Sequence, residues 1–156
     1  MNQKNKLSLY ISLVLSITVF AVILSLCFFL PRYIEWKCTN TLSMFTGDLP
    51  TLSEKIFIYC LSYLLLALAA LEDGALIFLL LRIKAGLTFT DKTVKALKGI
   101  SLLIMVIGAL FILLTPWFKM ACAVGLLVIF VGVVIGVVKN VLEEATAIKN
   151  ENDFTI

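Results

Sequence analysis

Histidine is absent from this 156-residue chain, and its four cysteines, Cys27, Cys38, Cys60 and Cys122, form no C-x-x-C pair. Histidine-dependent catalysis and most zinc sites are thereby excluded within it. Charge is scarce, at 15% of residues, and the net formal charge is only +3. The basic residues sit in short segments between apolar blocks and form no stripe of the kind that tracks a phosphate backbone, so no direct nucleic-acid contact is expected. No glycine-rich phosphate loop, nucleophile elbow or metal-ligand cluster is present; neither an enzyme nor a cofactor is expected. What the chain has instead is apolar mass: 62% of its residues are hydrophobic and the mean hydropathy is +1.09. That composition belongs to a protein whose first partner is the lipid bilayer.

Four apolar blocks follow one another: Leu7 to Leu30, Ile56 to Leu81, Gly99 to Phe118 and Met120 to Val138. An α-helix needs about 20 such residues to cross about 30 Å of hydrocarbon. Backbone groups in lipid must be satisfied within the segment, so the expected fold is all-α, an antiparallel four-helix transmembrane bundle forming one membrane domain over residues 1–156. The first block is too long for a secretory signal, and in "LSLC", Leu24 to Cys27, Leu26 stands where a lipoprotein cleavage site needs a small residue before Cys, so a retained span or signal anchor is expected.

Orientation follows from the basic residues. Lys4, Lys6, Arg82, Lys84, Lys92, Lys95, Lys98, Lys139 and Lys149 fall on one side, and Arg32, Lys37, Lys55 and Lys119 on the other. The positive-inside rule then makes both termini, the connection 82–98 and the tail 139–156 cytoplasmic. Tyr33, Trp36, Tyr59, Tyr63 and Trp117 gather toward the outer boundary as an aromatic belt would. On that side Pro31 to Lys55 is long enough for a small cap or interfacial helix, and a Cys38–Cys60 disulfide or unpaired thiols are both open. "PWFK", Pro116 to Lys119, is a tight turn that makes spans three and four antiparallel neighbours.

The second connection carries helix signals. Gly86 suits a helix stop; Thr90 can cap the next helix, Asp91 suits its positive end, and Phe89 can staple against Val94. Lys92, Lys95 and Lys98 follow at three-residue spacing, as anchors to anionic lipid or as a docking surface. On span four Ala121, Gly125, Gly132 and Gly136 share one face, a seam that suits close packing either within the chain or in a homodimer. Beyond it Val138, Val141, Leu142, Ala145 and Ile148 make an apolar stripe at helical spacing, so the span is expected to continue as a cytoplasmic amphipathic helix.

Two adjacent acids, Glu72 and Asp73, interrupt the second block. Counted from Leu81 at about 1.5 Å per residue, Asp73 lies roughly 12 Å deep, and Ser16, counted from Leu7, roughly 13 Å. Ser8, Ser12 and Ser16 recur every four residues, so Ser12 and Ser16 are candidate hydroxyl partners if spans one and two are neighbours. No span core contains Lys or Arg to neutralise the pair. A structural pair facing hydroxyls or water, a proton or cation site, and contact with a partner's basic group are the three readings.

The segment "TFTDKTVKALKGI", the tight turn before span four and the ending "ENDFTI" together resemble domain-of-unknown-function family 2975, small four-span bacterial membrane proteins. Phe89, Thr90, Val94, Lys95 and Leu97 fit its first pattern, and Glu151, Asn152, Asp153, Phe154, Thr155 and Ile156 its second. Glu72 and Asp73 are not part of that pattern. The resemblance implies a bacterial inner-membrane location and pairing with a small cytoplasmic helix-turn-helix regulator. The corresponding expectation is a non-enzymatic regulatory or scaffolding protein that binds this regulator through Lys92, Lys95, Lys98, Glu151, Asp153, Phe154 and Ile156. The competing expectation is a small ion- or proton-coupled transporter or sensor using Glu72 and Asp73.

Overall fold

The computed structural model describes residues 3–40, 42, 48–87 and 90–153. They form four helices in chain order: α1, Gln3–Asn40; α2, Leu52–Lys84; α3, Asp91–Leu113; and α4, Met120–Asp153. All four are long and apolar enough to cross a membrane.

Each helix is bounded by local chemistry. At the start of α2, Thr51 and Glu54 form a reciprocal capping box: the Thr51 amide donates to Glu54 Oε2 at 2.8 Å, and the Glu54 amide donates to Thr51 Oγ1 at 3.4 Å. Its end is a Schellman turn. Gly86 adopts φ +78, its amide donates to Ile83 O, and that of Leu87 donates to Arg82 O. Only glycine takes that φ without a Cβ clash, which is the helix stop expected there. Thr90 caps α3 by accepting from the Thr93 amide; Phe89, the expected staple partner, lies outside the described residues. The α3–α4 turn is closed by the Trp117 and Phe118 amides, both donating to Leu114 O.

The connection Pro31 to Lys55, read as long enough for a small cap or interfacial helix, begins as a continuation of the first helix: α1 runs through Pro31 to Asn40. Thr39 and Asn40 side chains donate back to the Trp36 carbonyl and so satisfy part of the last turn. The span therefore ends before the helix does: Arg32, Glu35 and Lys37 are helical but polar.

The helices pack in chain order, α1 on α2, α2 on α3 and α3 on α4; among the described residues only consecutive helices bring their backbones together. Direction is visible in the contacts. Lys84 Nζ lies 4.7 Å from the Tyr10 ring, Ser16 bonds Asp73, and Tyr59 donates to Pro31 O at 3.2 Å, so numbers rise on α1 as they fall on α2. Three buried clusters run down the bundle. Ile34, Cys38 and Ile58 lie at one end with Trp117 and Phe118 packed on them. Leu61, Leu65, Ile107, Leu114 and Ala121 follow, and Leu79, Leu97, Ile100 and Ile104 complete the other end. All four cysteines are free thiols, Cys38 buried and Cys60 exposed.

The outer surface is apolar: Phe28 is 84% exposed, Phe130 66% and Leu127 66%. Monomeric soluble proteins do not tolerate patches of this extent; here the solvent is hydrocarbon. Hydroxyls on that surface are satisfied by their own helix, as in Thr18 to Val14 O and Ser25 to Ala21 O.

Candidate functional site

The acidic pair divides on folding. Successive helical residues point about 100° apart, so one direction cannot serve both acids. Asp73 faces α1 and is buried at 3% exposure, whereas Glu72 is half-buried. Ser16, also 3% exposed, donates from Oγ to Asp73 Oδ1 at 2.6 Å. This is the hydroxyl partner expected from matched depth. Ser12 is not one, because its Oγ donates to Ser8 O at 3.0 Å on its own helix. No Lys or Arg forms an ion pair with either acid among the described residues.

The second Asp73 oxygen, Oδ2, is buried without a hydrogen-bond partner. An unsatisfied buried polar atom costs about 1–3 kcal/mol, and a full charge in hydrocarbon costs more. The carboxyl is therefore held on one side by Ser16, and its other oxygen is enclosed without a partner.

The small-residue seam of α4 lies against α3. A Cβ built on Gly125 would meet Gly108 O at 2.7 Å, one on Gly132 would meet Met105 Cγ at 2.7 Å, and one on Gly136 would meet Ser101 Oγ at 3.1 Å. Ala121 is buried in the same interface. The reciprocal glycine, Gly108, would place its Cβ 2.8 Å from Gly125 O. Ser101 Oγ donates to Gly132 O at 2.8 Å across the seam. Gly108 and Ser101 were not singled out from the sequence; a lone glycine in an apolar run signals nothing until the register of its neighbour is known. Within the chain the seam is covered by α3.

At the other proposed surface, Lys92, Lys95 and Lys98 are exposed on the first two turns of α3. Arg82, also not singled out as a site residue, ties α2 to this end: its Nη2 donates to Thr90 Oγ1 at 3.0 Å and its Nε to Thr93 Oγ1 at 3.4 Å. A cleft of about 300 Å³ between the start of α3 and the end of α4 is lined by Asp91, Val94, Lys95, Glu143, Thr146 and Ala147. Thr146 is buried at 3% and donates to Leu142 O. The expected apolar stripe is thus split. Leu142 packs inward, whereas Val141 and Ile148 are exposed.

The α3–α4 register that pairs Ser101 with Gly136 places Ala147 near the start of α3. The helix then continues to Asp153, about 10 Å further at 1.5 Å per residue. No other helix lies against that overhang among the described residues. Glu151 is exposed on it and Asp153 is its last helical residue; Phe154 and Ile156 lie outside the described residues.

Four consecutive helices long and apolar enough to cross a membrane, with large hydrophobic side chains on the outer surface, define a multi-pass membrane protein. The chain belongs to the family described as Protein of unknown function (DUF2975), which matches residues 49–156. That match takes in α2, α3 and α4 and leaves α1, with Ser16, outside it. No curated protein and no solved structure matches the chain.

Proposed function

We propose that this protein is a non-enzymatic membrane scaffold of the bacterial inner membrane, with both termini cytoplasmic, that holds or releases a small soluble helix-turn-helix regulator. The observation that carries this reading is the overhang of α4, which projects past α3 beside three exposed lysines. Exposed Val141 and Ile148 offer apolar contact, and Lys92, Lys95, Lys98 and Glu151 offer orienting charge. The nature of the partner rests on the family resemblance. In a pull-down of the full chain from native membranes, the regulator encoded beside it co-purifies, and deleting residues 150–156 abolishes this. Unchanged co-purification after the deletion sinks the proposal, as does labelling of a tag after Ile156 by an impermeant reagent outside intact cells.

A second reading is favoured by the buried, unpartnered Oδ2 of Asp73: an ion- or proton-coupled sensor or transporter using Glu72 and Asp73. In liposomes, Glu72→Gln with Asp73→Asn then removes a proton- or cation-dependent signal while the fold survives. A signal that persists in the double variant rejects this reading.

A further inference from the structure

A groove of about 430 Å³ runs between α3 and α4 on the bundle's outer surface, and it combines two chemistries. Lys98, Lys139 and Asn140 lie at one end; Leu102, Met105, Val133 and Val137 line the rest, over a floor made by Ser101 and Gly136. The floor is low because Gly136 has no side chain; a Cβ there would press on Ser101 Oγ at 3.1 Å. The walls are exposed, Leu102 at 63%, Val133 at 49% and Val137 at 57%. These residues occur at helical spacing on both helices, so the groove follows the helix axes into the apolar layer.

Lys98 and Lys139 are the first charged residues beyond the apolar blocks of α3 and α4, which puts their ammonium groups at headgroup depth. Lys139 is 17% exposed and pairs with Glu143 at 2.6 Å; Glu143, at 61%, stands out into water. Two lysines and one glutamate leave a net charge of +1, the complement of one phosphodiester.

We propose that this groove binds an anionic phospholipid. Its phosphate sits between Lys98 and Lys139, and one acyl chain lies along Leu102, Met105, Val133 and Val137. A soluble anion would leave the apolar length unfilled, and a zwitterionic lipid would bring its own cation to the lysines. The site depends on the membrane-protein assignment and not on Asp73; it shares Lys98 with the proposed regulator surface, and the purified chain used in the test carries no regulator.

The test uses the purified full chain in uncharged detergent, with retention of phosphatidylglycerol and phosphatidylcholine compared by native mass spectrometry. Phosphatidylglycerol is retained preferentially. Lys98→Gln with Lys139→Gln lowers that preference by roughly thirtyfold, since each basic group near an anionic lipid contributes about a kcal/mol. Val137→Trp, at an exposed wall position, lowers it with every charge intact, whereas Lys92→Gln with Lys95→Gln leaves it unchanged. Should the Lys139 substitution perturb folding, Lys98→Gln alone carries the charge arm. Equal retention of the two lipids by the unaltered chain overturns the proposal. So does a preference that survives Val137→Trp, which indicates peripheral attraction only, or one that is lost as fully in the Lys92 and Lys95 variant.

Discussion

Ser16 and Asp73, 57 positions apart in the chain, meet at 2.6 Å in the buried α1–α2 interface, hydroxyl donating to carboxyl. Ser16→Ala leaves both carboxyl oxygens unpartnered, because Oδ2 already lacks a partner. It is expected to lower stability by about 1–3 kcal/mol, read from the unfolding midpoint in detergent. Adding Asp73→Leu removes the orphaned group as well and recovers most of that loss. A double variant no more stable than Ser16→Ala would show that the bond is not the source of the effect.

The α3–α4 seam makes a second prediction. Gly108→Ala and Gly125→Ala each drive a methyl to within 2.8 Å of a backbone oxygen on the facing helix. Such overpacking costs about 1–3 kcal/mol. Gly74, with nothing within 4 Å of a Cβ built on it, is the control; Gly74→Ala is neutral or stabilising by up to about 1 kcal/mol, as helix propensity alone dictates. Equal thermal midpoints for all three variants would place the close approach elsewhere.

The α2–α3 junction rests on one turn residue and one side chain. Gly86→Ala forces a Cβ into φ +78 and is expected to cost about 1–2 kcal/mol. Arg82→Lys keeps the charge but loses the fork that reaches both Thr90 and Thr93. Amide exchange over the first turn of α3 then rises several-fold while that of the α3 midsection stays unchanged.

Thiol accessibility follows from burial. In detergent, a small membrane-permeant maleimide modifies exposed Cys60 ahead of Cys38, which is 4% exposed and packed against Ile34 and Ile58. Ile58→Ala opens that cluster and speeds modification of Cys38. Equal rates in the unaltered chain would contradict the packing described at this end.

Much of this architecture is legible in the sequence because lipid imposes one dominant rule, and four apolar blocks of spanning length obey it. Hydropathy locates the hydrocarbon, however, and not the helix ends. It stops at Leu30 and Val138; α4 runs on to Asp153 as the helical stripe beyond Val138 indicates, whereas α1 runs on to Asn40 through a stretch held by Ile34 and Cys38 packing on Ile58. Ser16 could be matched to Asp73 because depth in a bilayer is a coordinate that sequence counting supplies. Ser12 shares the stripe but sits one turn away from that level, and its hydroxyl finds a carbonyl on its own helix. Gly108 and Arg82 escaped for a different reason. Their roles depend on the lateral order and register of neighbouring helices, which periodicity within a single segment does not encode.

The continuity of α4 has a mechanical consequence. Thirty-four residues in one helix make a rod about 50 Å long, clamped to α3 along its glycine-lined middle and running on past the start of α3. A small tilt forced on the clamped part by a change in bilayer thickness or lateral pressure becomes a larger sweep at Asp153.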